Sequence, residues 1–158
     1  MAKKKTICID FDGVIHNYSE GFQGKDVFGD VIPGADNATA VLKEKGWTII
    51  IYTTRPATDA LKHWLKEKNI TYDYINENPD QPEDSKGCKL VADIYLDDRA
   101  MRFGGNWSDW TLREIAEFEP ASQKKEDEKK SMERAYDEGD IWKRGREKRI
   151  KANIDAAG

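Results

Sequence analysis

Residues 47–52, Trp-Thr-Ile-Ile-Ile-Tyr, constrain the fold more than any other stretch of this chain. Ile49, Ile50 and Ile51 follow one another, so a strand made of them shows apolar side chains to both faces. Such a strand is stable inside a sheet covered on each side, the usual setting of parallel strands joined by helices. Two shorter runs have the same character, Ile7-Cys8-Ile9 and Ile94-Tyr95-Leu96, and both are expected to be buried strands. Residues 70–75 read as a weaker strand interrupted by Asp73. Between the strands, residues 35–45 form an expected helix stopped by Gly46. Residues 58–69 form another, with Ala60, Leu61, Trp64 and Leu65 on one face. A short helix over 85–91 and a helix over 107–118, closed by Pro120, complete the pattern. Residues 16–32, broken by Gly21, Gly24 and Gly29, read as a loop. Strands alternating with helices predict an α/β fold: a Rossmann-like three-layer sandwich around a mainly parallel sheet.

In a sheet of this kind, functional groups gather beyond the carboxyl ends of the strands. Asp10 and Asp12 end the first strand, Thr53 and Thr54 the central one, and Asp97 and Asp98 the last. Turn chemistry accounts for Asp12-Gly13 but not for Asp10. Two like charges about 5 Å apart at an effective dielectric of about 20 repel by roughly 3 kcal/mol, so four carboxylates at one sheet edge call for a cation. Hard oxygen donors suit Mg²⁺, which shares its coordination with phosphate oxygens. The Thr53 hydroxyl and a lysine, Lys86 or Lys89, would serve the same anion. Acid, metal, hydroxyl and ammonium together describe phosphoryl transfer.

Composition narrows the alternatives. The 158 residues suit one domain of ordinary size, and a net charge of −4 gives no whole-protein case for nucleic acid or membrane binding. No run is apolar enough for a membrane span or a signal peptide. The two cysteines, Cys8 and Cys88, lack metal-ligand spacing, which makes a reducing, cytoplasmic compartment the expectation. With only His16 and His63, chemistry resting on several imidazoles is disfavoured and carboxylates become the workers.

Asp10-Phe11-Asp12-Gly13-Val14, Thr53, Lys89 and Asp97-Asp98, in that order, resemble the four motifs of the haloacid dehalogenase-like superfamily of phosphohydrolases. The resemblance runs over residues 7–103, the length of that superfamily's Rossmann-like core. It implies that Asp10 is the nucleophile and forms an aspartyl-phosphate. Asp12 would protonate the leaving oxygen and then deprotonate water, help worth about 10²–10⁴-fold. Mg²⁺ would be held by the Asp10 carboxylate, the Asp12 carbonyl and Asp98, with Asp97 behind. Thr53 and Lys89, preferred to Lys86, would bind the phosphoryl group. Thr54 reads as a helix cap beside the substrate site. His16 is placed either over the site or in a structural hydrogen bond, and Arg55 either on a substrate anion or on a nearby acid. Neither intermotif gap has room for a full cap domain, so an open site is expected, fit for a phosphorylated small molecule, a nucleotide or a nucleic-acid phosphate end.

The division expected is a catalytic core over 1–120 and a charged helical arm over 121–158. Met132, Ala135, Tyr136, Trp142, Ile150 and Ile154 recur at about helical spacing in that arm, and Lys143, Arg144, Arg146, Lys148, Arg149 and Lys151 make its end basic. Three uses stay open for it: a stripe lying on the body, a homo-oligomer contact, or a phosphate contact to nucleic acid. Two competing functions also stay open. One is a phospho-acceptor module like a response-regulator receiver; the other is an inactive scaffold acting through the arm.

Overall fold

The computed structural model describes residues 4–85 and 87–123; Lys86 and the arm beyond Gln123 lie outside the described residues. In chain order the elements are β1 (Thr6–Ile9), α1 (Ala35–Glu44), β2 (Thr48–Ile51), α2 (Asp59–Glu67), β3 (Tyr74–Ile75), β4 (Ile94–Leu96) and α3 (Asp109–Ala116). Short 3₁₀ turns lie at Glu83–Ser85 and Ala121–Gln123. The four strands form one sheet in the order β3-β2-β1-β4, with every neighbouring pair parallel. The fold is α/β and Rossmann-like.

Strand alternation sorts the isoleucines. Ile7 pairs with Ile49 and Ile9 with Ile51, and all four join Leu61, Trp64 and Leu65 of α2 in the main core. Leu42 of α1 packs against the same cluster, so both helices cover one face. Cys8 and Ile50 point the other way, onto a smaller cluster with Leu90 and Ala92. Burial in that cluster pushes the Cys8 thiol up to about 11, as suits a packed residue rather than a reactive one.

Local signals explain the helix limits. The Thr58 hydroxyl caps α2 by accepting from the Leu61 N–H at 3.2 Å. At the end of α1, Gly46 takes a left-handed φ of 79°, its N–H donates to the Lys43 carbonyl, and the Trp47 N–H donates to the Leu42 carbonyl. This paired closure is why the helix stops at the glycine.

Three expectations need correction. Ile94-Tyr95-Leu96 is a strand but not a buried one: it forms a sheet edge, and the three residues are 44%, 37% and 49% exposed. Apolar composition shows that a strand wants cover, not that the fold supplies it. The weak strand over 70–75 shrinks to Tyr74–Ile75. Asp73, just before it, accepts from the Ile49 N–H through its carboxylate and pairs with Lys43. The helix expected over 85–91 is replaced by the turn at Glu83–Ser85 and irregular chain. There the Val91 N–H donates to the Gln81 side chain and the Val91 carbonyl accepts from Asn78, so side chains satisfy the backbone. The layer on that face of the sheet is therefore thin, irregular chain anchored by Leu90. Among the described residues, no helix is long and apolar enough to cross a membrane.

Candidate active site

The turn after β1 creates the site. Phe11 is fully buried, stacked on His16 at 5.1 Å between centroids and edge-on to Trp64 at 5.2 Å. With Phe11 held in the core, its neighbours Asp10 and Asp12 both reach a single cleft of about 490 Å³. The Phe11 carbonyl accepts from the Ile15 and His16 N–H groups at 3.0 and 2.9 Å, which folds the chain back tightly. Gly13 makes this possible with a φ of 86°, a conformation that costs a residue bearing a Cβ.

Thr53, Thr54 and Asp97 share the cleft with the two aspartates. The strand ends that the sequence marked do converge. Asp98 is buried at 7% exposure, and one carboxylate oxygen each from Asp10, Asp97 and Asp98 lies within 4.8 Å of the others. Burial raises the Asp10 carboxyl to about 7; the Phe11 N–H bond opposes it, and the charges of Asp97, Asp98 and Asp12 add to it. Three converging hard oxygens under mutual repulsion fit a divalent cation of the Mg²⁺ type, which would remove the repulsion.

Asp12 meets the opposite environment. Its Oδ2 accepts from Arg55 Nε at 2.8 Å, and its Oδ1 accepts from Arg55 Nη2 at 3.0 Å and Nε at 3.1 Å. The His16 Nδ1 lies 2.9 Å from the same Oδ1. Burial alone would raise the Asp12 carboxyl, but the His16 and Arg55 hydrogen bonds and charges outweigh it, so it lies below the usual carboxylate range. Of the two alternatives for Arg55, the structure shows pairing with an acid: the residue is 3% exposed and turned onto Asp12. Of those for His16, it shows a buried hydrogen-bonded ring.

The Thr53 hydroxyl accepts from the Arg55 N–H at 3.1 Å and keeps its own hydrogen for an acceptor in the cleft. Thr54 lines the cleft but does not cap α2, a role taken by Thr58. The Lys89 ammonium sits over the Tyr95 ring, 4.6 Å from its centroid, and Lys89 is not among the residues lining the cleft. Of the sequence-marked residues that the structure describes, Asp10, Asp12, Thr53, Thr54, Asp97 and Asp98 come together, His16 and Arg55 stand behind Asp12, and Lys89 lies apart.

The exposed Arg99, for which the sequence leaves the same two uses open as for Arg55, lines the cleft. Tyr18 and Tyr52, which carry no sequence signal of a site, complete its walls. Asn76 works behind it: its Oδ1 accepts from the Thr53 N–H at 2.8 Å and its Nδ2 donates to the Arg55 carbonyl at 3.2 Å. It holds a φ of 55°, a conformation asparagine tolerates better than most residues. An asparagine closing a strand was the one available signal.

No family model matches this chain, and no curated protein matches it. Two solved structures are similar to parts of it. One is a conserved protein coded by a locus from Bacteroides thetaiotaomicron, with a TM-score of 0.49 and 24% identity, covering 73% of this chain and 92% of that one. The other is the D,D-heptose 1.7-bisphosphate phosphatase from B. bronchiseptica complexed with magnesium and phosphate, with a TM-score of 0.36 and 28% identity, covering 54% of this chain and 55% of that one.

Proposed function

We propose that the chain is a Mg²⁺-dependent phosphomonoester hydrolase of the haloacid dehalogenase-like type, working through an aspartyl-phosphate on Asp10. The observation that carries this reading is the convergence of the Asp10, Asp97 and Asp98 oxygens within 4.8 Å, in a site that also holds Asp12 and Thr53. Asp10, Asp98 and the Asp12 carbonyl would hold the metal, with Asp97 supporting them. The ion supplies charge neutralisation for the incoming phosphate and keeps Asp10 ionised.

An Asp10 oxygen attacks phosphorus while the bond from phosphorus to the ester oxygen breaks. Asp12 starts ionised and takes the proton that a monoanionic phosphate monoester brings on binding. The leaving oxygen keeps the electron pair of the broken bond and takes that proton from Asp12, releasing the alcohol. Water then attacks the phosphorus of the aspartyl-phosphate and gives a proton to Asp12, which passes it to the departing inorganic phosphate, so both carboxyls return to their starting states. Thr53 donates its hydroxyl hydrogen to a non-bridging phosphate oxygen. Arg99, exposed on the cleft wall, is placed for the rest of the substrate, and its guanidinium takes over the anion contact expected of Arg55. The open cleft suits a nucleotide or another phosphorylated small molecule.

Purified protein should release phosphate from a nitrophenyl phosphate only with Mg²⁺, and Asp10→Asn should abolish release. Undiminished turnover in Asp10→Asn would remove Asp10 as nucleophile. A phospho-adduct lasting minutes without turnover would instead mark the phospho-acceptor alternative.

A further inference from the structure

We infer that Arg55 and His16 are positioning residues that aim the Asp12 carboxylate and tie its placement to the 22–29 loop. The inference rests on the reading of Asp12 as the proton-transferring group. The contacts divide the two oxygens of Asp12 unequally. Oδ1 takes the His16 and Arg55 Nη2 hydrogen bonds and a longer one from Nε, whereas Oδ2 takes only Nε at 2.8 Å. Oδ1 is therefore the anchored oxygen, and Oδ2 is the one with room for a proton.

Each anchor is itself held from behind. The Gly29 N–H donates to His16 Nε2 at 2.6 Å, so that nitrogen is the acceptor and the ring carries its hydrogen on Nδ1, facing Asp12. Arg55 Nη1 donates to the Gly24 carbonyl at 2.6 Å and the Lys25 carbonyl at 3.0 Å. The guanidinium carbon lies 5.0 Å from the Phe22 ring centroid and 5.4 Å from that of Phe28. The loop is fastened at the other side where the Thr58 hydroxyl donates to Asp26 at 2.6 Å. A fork of this kind fixes direction as well as distance, which lysine cannot reproduce. Arg55 also belongs to the backbone turn that carries Thr53, so one residue joins the proton-transferring acid to the phosphate-binding hydroxyl.

The test compares kcat/KM for an alkyl phosphate, whose alkoxide needs a proton to leave, with that for a nitrophenyl phosphate, whose phenolate does not. Arg55→Lys should lose about 10²-fold on the alkyl ester, and at least about tenfold less than that on the nitrophenyl ester. His16→Asn keeps a donor where Nδ1 stood and should recover most of the alkyl-ester rate that His16→Phe loses. If Arg55→Lys does not fold, the His16 pair decides alone. Equal losses on both esters, or no recovery by asparagine over phenylalanine, would make these residues structural only and overturn the inference. Wild-type protein that turns over neither ester with Mg²⁺ would overturn the functional reading itself, and the inference with it, before any variant is compared.

Discussion

Asp10 and Asp12 stand one residue apart, yet they face opposite halves of the site. On the Asp10 side, burial and the neighbouring Asp97 and Asp98 push the carboxyl up to about 7. On the Asp12 side, Arg55 and His16 overcome burial and hold the carboxyl low. The difference teaches that the sequence motif is not one acidic patch. One half is left short of positive charge, which suits the proposed cation site; the other half is neutralised by the protein's own side chains, which suits a group that must keep one geometry. Phe11 makes the separation possible by occupying the core between them.

The sharpest way to break the comparison is to remove the carboxylates in turn. Asp10→Asn should lower phosphate release by at least about 10³-fold, while the metal-free protein melts at the same or a higher temperature because a repulsive charge has gone. Asp12→Ala should do the reverse for stability. It strands Arg55 with a buried, unpaired charge, a loss of about 3–5 kcal/mol in urea unfolding. Equal stability changes in the two variants would erase the distinction between the halves.

A pH series sharpens it further. An ordinary aspartate titrates near 3.8 when unfolded, whereas Asp10 in the fold does so at about 7. Between those values the folded state binds the extra proton, so stability without metal should fall as pH rises from about 4 to about 7 and then level. Mg²⁺ competes with that proton, so its stabilising effect in thermal melts should be largest at and above about pH 7 and fade below it. A Mg²⁺ effect independent of pH would argue against Asp10 as a ligand. The smallest expected change lies outside the site. Thr58→Ala removes the cap of α2 and its bond to Asp26, costing about 1 kcal/mol in urea unfolding.

How much of this was legible before the structure depends on the range of each interaction. The strands, the Gly46 stop and the acids at the strand ends could be read because period, turn chemistry and sheet topology act locally. The exposure of Ile94-Tyr95-Leu96 could not, since an edge strand and a central one have the same composition. The irregular chain over 87–93 escaped for a related reason: Asn78 and Gln81 satisfy Val91 from across a loop, and their spacing does not announce it. The pairing of Arg55 with Asp12 spans 43 positions. Arg55 alone reads as bound for a substrate anion or a nearby acid, and nothing in its spacing names Asp12 as that acid. Only the fold shows that they neutralise each other. Lys89 is the converse case, a sequence-marked phosphate ligand that the structure leaves over Tyr95.

The most direct test of the central claim, that the two aspartates have different jobs, is an acid-quenched digest of Asp12→Asn after exposure to nitrophenyl phosphate and Mg²⁺. With a good leaving group the first step should proceed, and without the base the second should stall. Mass spectrometry should then find a phosphoryl group on the peptide carrying Asp10, and none on that peptide when Asp10→Asn is added. Steady turnover by Asp12→Asn with no adduct, or an adduct on a different residue, would contradict the account.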